Sequence, residues 1–217
     1  QEILLKAKNI IVGFSGGADS TLALYATNEF LKSHSAANRL TAIYVDHQVQ
    51  ASSTDWLNHC ESFCATHAIE FQAVQVEINQ TGQGFEAAAR SARQEIFNAY
   101  EDGTAIILGH HMDDQVETVF FRVLRGTGMK GLTGMQRHLT SRGKDLIRPL
   151  LNISKDEILK YAAINKLEFI EDESNQDNTY SRNFLRNKVI PKIMERWPGA
   201  KKNTARMANL LSKQSAL

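Results

Sequence analysis

Three short apolar, β-branched runs stand out along the chain: residues 9–14 (NIIVGF), 40–45 (LTAIYV) and 104–109 (TAIILG). Runs of this length between polar stretches predict buried strands. Between them, apolar side chains return every three or four residues. Leu22, Tyr25, Ala26 and Phe30 share a face of residues 20–31. Trp56, Cys60, Phe63 and Cys64 do so over 53–67, and Ala88, Ala92 and Ile96 over 85–100. That spacing predicts amphipathic helices. Residues 70–78 alternate like a strand, 146–150 read as a short strand stopped by Pro149, and the opening residues from Glu2 look strand-like. Further helices are expected over 113–124, over 154–164 (opening on the capping-box pattern SKDE), and over 182–195 and 200–211, the last two split by Trp197-Pro198-Gly199.

Strands alternating with helices predict an α/β fold: a doubly wound, mostly parallel five-stranded sheet of Rossmann-like form, with a small C-terminal helical extension. Residues 1–177 are expected to form the main domain and 178–217 the extension. Ligands of such sheets bind at the carboxyl ends of strands, near a switch in strand order. The unusual residues gather at those ends: Ser15 to Ser20 after the first strand, Asp46-His47 after the second and His110 to Asp114 after the fourth.

Composition adds two points. With 217 residues, 42% hydrophobic and 23% charged, the chain can bury a core without disulfide or metal staples. No apolar run approaches a membrane span and no signal peptide is visible, although the first residue is Gln1 rather than Met. Cys60 and Cys64 read as small buried residues in a reducing, cytoplasmic setting. The formal charge of +1 hides a division: residues 178–217 carry nine Lys or Arg against one acid, Glu195, while the rest has a net charge of −7. A basic tail beside an acidic body points to a polyanion partner at that end, or to a solvated helix face.

The first strand-to-helix junction reads SGGADS, residues 15–20. Glycines there let the backbone approach a ligand that a Cβ would block. The amides at the head of the next helix point at the same place, and the helix dipole favours an anion. Ser15, Ser20 and Thr21 add hydroxyl donors. A phosphate group satisfies all of these. Asp19 would repel a bare phosphate, but it suits a Mg2+ ion bridging phosphate oxygens. No lysine follows the glycines and no Gly-x-Gly-x-x-Gly pattern is present, so this is neither of the better-known glycine loops. A tight turn capped by Asp19 or Ser20 is the other reading.

Three more blocks carry chemistry. In GHHMDDQVET (109–118), His110, His111, Asp113, Asp114 and Glu117 form a polar cluster after a buried strand, suited to metal or proton chemistry, with Asp113 equally able to cap the helix. RVLRGTGMKGLTGM (122–135) is glycine-rich, with Arg122, Arg125 and Lys130, and is expected to be a mobile loop that closes over a substrate. In EDESNQDNTYSRNFLRNKVIP (171–191) acids give way to Arg182, Asn183, Arg186 and Lys188 around Tyr180 and Phe184.

SGGADS resembles the SGGxDS PP-loop of the ATP pyrophosphatase family, whose fold is adenine nucleotide alpha hydrolase-like. Its members cleave ATP between the α- and β-phosphates and adenylate a substrate oxygen. The blocks together, with EAAAR (86–90), Arg93 and RPLL (148–151), resemble the bacterial tRNA(Ile)-lysidine synthetases over nearly the whole chain. That resemblance implies a ligase that uses ATP and Mg2+ to join free L-lysine to C2 of the wobble cytidine of tRNA(Ile) with a CAU anticodon. It implies ATP binding by Ser15, Gly16, Gly17, Ala18, Asp19, Ser20 and Asp46, with Asp19 on the metal. Catalysis falls to His110, His111, Asp114 and Glu117. Lysine falls to Asp114, Glu117, Arg90, Arg93 and Arg122, and tRNA to Arg125, Lys130, Arg182, Asn183 and Arg186. Adenine is expected along the backbone of residues 43–45. Many members carry further C-terminal tRNA-binding domains, and a homodimer is left open. The rivals are a tRNA thiolase with the same loop, an amide-forming synthetase of the NAD synthetase kind, and an adenine-nucleotide sensor. The Cys-x-x-x-Cys spacing of Cys60 and Cys64 does not match the Cys-x-x-Cys that a thiolase typically uses.

Overall fold

A computed structural model describes residues 2–46, 53–76 and 85–214. His47 and Ile78, at the ends of two expected segments, lie outside them. The chain opens on a short helix, α1 (Glu2–Lys6), where the pattern suggested a strand. Its Glu2–Lys6 ion pair joins residues four apart, as a helical turn does. The alternation then follows as expected: β1 (Ile10–Gly13), α2 (Ala18–Lys32), β2 (Leu40–Asp46), α3 (Ser53–Thr66), β3 (Glu70–Gln75), α4 (Phe85–Ala99), β4 (Ala105–Ile107) and α5 (Met112–Leu124). A single helical turn, α6 (Met129–Leu132), leads to β5 (His138–Ser141) and β6 (Lys144–Ile147). The chain ends with α7 (Lys155–Ile164), α8 (Ser181–Phe184), a π turn (Leu185–Val189), α9 (Ile190–Arg196) and α10 (Ala200–Gln214).

The sheet has six strands in the order β3-β2-β1-β4-β6-β5, and every pair is parallel except β5 with β6. Five strands were expected; β5 is the addition. Its four residues are exposed and only Leu139 is apolar, so no hydrophobic run announces it. Arg142 and Gly143, with φ of 50° and 69°, form the tight turn that folds it back on β6.

Alternation along β1 sends side chains to opposite faces. Ile10 and Val12 join Leu24 and Leu31 of α2, Cys60 and Phe63 of α3, and Ile158 of α7 in the larger core. Ile11 joins Ile43, Phe97 of α4 and Ile106 on the other face. Each fully buried leucine or isoleucine stabilises the fold by about 1.5–3 kcal/mol. With helices on both faces, the sheet is doubly wound. Among the described residues no helix is long and apolar enough to cross a membrane.

This topology sets the position of the site. The chain steps outward from β1 through β2 to β3, then returns to the opposite side of β1 as β4. The switch in strand order lies between β1 and β4, and their carboxyl ends open a crevice there. SGGADS follows β1 and GHHMDD follows β4, so the two blocks face each other across it. β2 continues to Asp46, beyond its last pairing with β1 at Ile43, and so forms a third edge.

Candidate active site

After Gly13 the chain must turn sharply to start α2. Gly16 adopts φ +76°, a left-handed geometry that costs any residue with a side chain. A Cβ at Gly16 would also lie 3.0 Å from the Cys60 sulfur beneath it. Ser20 folds back over the turn. Its hydroxyl donates to the Gly17 carbonyl (3.0 Å), accepts from the Ser15 N–H (3.2 Å) and lies 3.1 Å from the Ser15 hydroxyl. Gly17 is the N-cap of α2 and offers no side chain to its first amides. Those amides therefore remain available, at the positive end of the helix dipole. The result is a concave row of N–H and O–H donors suited to an anion.

The opposite wall approaches closely. A Cβ on Gly109 would meet the backbone of Asp19 and Ser20 at 2.9 Å, and backbone cannot swing aside as a flexible side chain can. Gly109→Ala is therefore expected to push the end of β4 away from α2, lowering stability by roughly 1–3 kcal/mol. A thermal melt together with a nucleotide-binding titration checks this. An unchanged melting temperature and unchanged affinity would show that the contact has no importance.

Asp19 stands in the first turn of α2. Lys155, the first residue of α7, donates to both of its carboxylate oxygens at 2.8 and 2.9 Å, and His111 Nε2 lies 3.5 Å away. Burial pushes the Asp19 carboxyl up, but His111 and Lys155 outweigh it and hold it below the ordinary carboxylate range. His111 is the buried N-cap of α5. Asp113 N–H donates to its Nδ1 (3.2 Å), and its own N–H donates to Asp114 Oδ2 (3.0 Å). Burial pushes the imidazole down, yet Asp113, Asp19 and Asp114 outweigh burial and lift it to about 9. An imidazolium has no lone pair left at Nδ1, so the charged ring gives up the Asp113 N–H and keeps the carboxylates as partners.

Asp113 serves the scaffold. Lys201 of α10 contacts it, and Lys155 N–H donates to it at 2.9 Å, so α5, α7 and α10 meet at one carboxylate. Among the described residues no group of three or more His, Cys, Asp or Glu side chains is arranged as a metal site. The His-His-x-Asp-Asp run instead supplies a helix cap and a charge network. Asp19 nonetheless fits Mg2+: it is a hard oxygen donor beside an anion cradle, and Mg2+ commonly takes one or two carboxylates plus phosphate oxygens.

One turn along α5, Glu117 is 1% exposed and carries a bidentate pair with Arg186, at 2.6 and 2.9 Å. Arg186 also reaches Asp114 (3.4 Å) and Asn175 (3.3 Å). It lies in the π turn, an irregularity that often marks functional sites. The expectation that Arg186 faces RNA phosphates is not what the structure places first: the guanidinium closes on the acid pair. Burial raises the Glu117 carboxyl, and Arg186 only partly offsets it.

The remaining expected residues divide. His110 borders Arg148, Arg93 and Arg90; burial first, then these cations, push it down to about 4, against the pull of Asp114. Its buried Nδ1 has no hydrogen-bond partner among the described residues, in keeping with a ring held neutral. Arg122, in contrast, is committed. It donates to the carbonyls of Gly131 (3.0 Å) and Gly134 (2.9 Å), while Gln115 is paired with Met135 in both directions and Arg148 holds the Gln136 carbonyl. The glycine-rich segment expected to be mobile is thus pinned at several points. Arg125 and Arg182 both lie over one ring, Phe121, at 5.3 and 5.9 Å. Asn183 donates to the Asp177 carbonyl (2.9 Å) and shapes the turn before α8. Lys130 is exposed on α6, and Asp46 lies at the end of β2, at the crevice edge.

Lys155 was not singled out from the sequence. Its signal was present: in SKDE, Ser154 caps α7 and Glu157 reaches back to it, which makes Lys155 the first residue of a helix that follows a parallel strand. Such residues emerge at the ligand edge of the sheet. Both cysteines are buried, and burial pushes each thiol up to about 12, so neither is a thiolate near neutral pH.

The PP-loop domain family matches residues 1–193, and the chain belongs to that family. Within it, the chain is 41% identical over 206 residues to a tRNA(Ile)-lysidine synthase of Legionella pneumophila (strain Paris), covering 94% of this chain and 47% of that protein. A tRNA(Ile)-lysidine synthase of Escherichia coli O157:H7 is 39% identical over 215 residues, with 99% of this chain and 50% of that protein covered. The chain therefore spans about half the length of the curated relatives it matches. Among solved structures, the U34-tRNA thiolase NcsA from Methanococcus maripaludis superimposes with a TM-score of 0.76 at 23% identity, over 98% of this chain and 74% of the other, a likeness of fold.

Proposed function

We propose that this chain carries the catalytic site of an ATP-dependent ligase that joins free L-lysine to C2 of the wobble cytidine in tRNA(Ile) with a CAU anticodon. The observation that carries this reading is the Glu117–Arg186 pair, linked to Asp19 of the SGGADS cradle through Asp114 and His111. One end of the site suits phosphate, and the other already binds an organic cation in a pocket of two acids. An ATP-using enzyme whose second substrate is an amine needs both. The relatives named tRNA(Ile)-lysidine synthase support the same assignment.

In this scheme the amides and hydroxyls of residues 15–20 hold pyrophosphate oxygens, and Asp19 holds the Mg2+ that neutralises them. The cytidine C2 oxygen attacks the α-phosphorus, the bond to pyrophosphate breaks, and charge develops on phosphoryl oxygens in front of fixed donors. His110, kept neutral by burial, is our candidate to hydrogen-bond the α-phosphate or the C2 oxygen. The lysine ε-ammonium takes the place of Arg186 between Asp114 and Glu117, and one of these acids accepts a proton. The amine then attacks C2 and AMP leaves. Arg90 and Arg93 are the candidates for the lysine carboxylate. Arg125 and Arg182, which share the Phe121 ring, and the exposed Lys130 are the candidates for tRNA phosphates. A thiolase reading would need a reactive thiol, which the buried pair Cys60 and Cys64 does not offer.

The test supplies ATP, Mg2+, labelled lysine and unmodified tRNA(Ile) with a CAU anticodon to the 217-residue chain. Label in the RNA, with AMP and pyrophosphate released in equal amounts, is the expected result. Nucleotide turnover with a small acid but none with tRNA would favour an amide-forming synthetase instead.

A further inference from the structure

The SGGADS cradle lacks a cation. Residues 15–21 contain no Lys or Arg, and their one charged side chain is an acid. A triphosphate brings several negative charges, more than amides and hydroxyls alone neutralise well. Other phosphate loops place a lysine directly after their glycines. Here the structure brings one from 136 residues away: the Lys155 ammonium lies on Asp19, at the head of α2.

The attachment of Lys155 is rigid at its base and loose at its tip. Its backbone N–H is fixed to Asp113 (2.9 Å), its neighbour Ser154 is locked in a capping box with Glu157, and Met112 N–H binds the Ile153 carbonyl just before it (2.8 Å). These contacts tie the start of α7 to the first turn of α5, which carries His111 and Asp114. The side chain then spans from that cluster to the cradle and remains 39% exposed. A lysine head on a four-carbon stem is a mobile point charge, able to change partners without moving its backbone. An ion pair this open to water costs little to break.

Two cations cannot share one small carboxylate comfortably. When a metal ion reaches Asp19 with the nucleotide, the ammonium is repelled, and the nearest anions are the phosphates that the metal accompanies. We propose that Lys155 is the phosphate-binding lysine of this site: in the free protein it neutralises Asp19, and in the nucleotide complex it moves to a phosphate oxygen. This rests on the PP-loop reading of the cradle. It goes further by supplying the cation absent from the motif and by linking that cation to the start of α5.

The test is equilibrium binding of Mg·ATP and of adenosine to the wild-type chain, Lys155→Met and Lys155→Arg, each checked for fold by circular dichroism. Lys155→Met is expected to weaken Mg·ATP roughly tenfold or more, as loss of a charged hydrogen bond does, with adenosine affinity unchanged. Lys155→Arg should recover most of the loss. A Lys155→Met variant that binds Mg·ATP within twofold of wild type overturns the proposal while leaving the PP-loop reading intact. A wild-type chain that binds neither ligand overturns both. Asp19→Asn gives a second, independent readout in metal-free buffer, because it releases Lys155 from its partner. ATP should then bind several-fold more tightly than to wild type, and adding Lys155→Met should abolish that gain; a gain that survives the second substitution reflects only removal of the acid and counts against the proposal.

Discussion

Asp19→Ala is expected to lower ATP-dependent pyrophosphate release by at least about a hundredfold while leaving the fold nearly untouched. The two halves of this expectation come from different contacts. For activity, Asp19 is the one carboxylate in the SGGADS cradle, so under the proposed scheme its loss would remove the ligand for Mg2+ where charge builds on the departing phosphate. For stability, its partners are a lysine side chain that is 39% exposed and a histidine that can lose its proton. Lys155 simply hydrates. His111 loses one of the carboxylates that lift it and moves toward a neutral ring, whose Nδ1 can accept the Asp113 N–H and cap α5. A partly exposed pair of this kind contributes about 0–1 kcal/mol, or at most a few degrees of melting temperature at this chain length. Pyrophosphate release and a thermal melt measured on the same sample settle the matter. Release at the wild-type rate would remove Asp19 from the chemistry, and a collapsed melt would show that it is a scaffold residue.

Much of this arrangement was legible in the sequence because its signals are local. The buried strands announce themselves as apolar runs, and SGGADS and GHHMDD name their own positions at strand ends. The topology rule for parallel sheets then places them in one crevice. What was missed depends on distance or on weak local signals. β5 is exposed, with Leu139 its one apolar residue, and is held by its pairing with β6 rather than by burial, so it leaves no periodic trace. α1 is five residues long, too short for periodicity to separate it from a strand. The Lys155–Asp19 and Arg186–Glu117 pairs were not legible because the partners lie 136 and 69 residues apart. Composition made the glycine-rich segment look mobile, but Arg122, Gln115 and Arg148 reach it from elements already fixed in the core. Asp113 and Asp114 are adjacent, yet one ties three helices together and the other faces the crevice. Sequence position could not separate them, because the difference lies in Lys201, which arrives from the last helix.

Removing Arg186 should destabilise the protein more than removing the charge of its partner, and the difference should depend on pH. Glu117 is 1% exposed, whereas the Arg186 side chain is 37% exposed. Arg186→Ala therefore strands a poorly hydrated carboxylate without its cation. Breaking a buried pair in this way costs about 3 kcal/mol, or roughly 6–12 °C of melting temperature for a chain of this size. Glu117→Gln leaves a partly hydrated guanidinium beside an amide that still accepts a hydrogen bond, and should cost about 1 kcal/mol. Burial already raises the Glu117 carboxyl in the intact protein. Without Arg186, which opposes that rise, it climbs further. A group whose folded-state pKa is raised above its unfolded value favours the folded state at low pH and loses that advantage as pH rises through the folded pKa. The melting-temperature gap between wild type and Arg186→Ala should therefore narrow from pH 8 to pH 5, as Glu117 takes up a proton, while the gap for Glu117→Gln should not narrow in this way. If Arg186 also stands where the lysine ammonium binds, Arg186→Ala at pH 8 leaves two acids facing an open position, and free lysine should raise its melting temperature more than it raises that of wild type. A melt indifferent to both pH and lysine would mean that the pair is a surface contact and that the cation end of the site lies elsewhere.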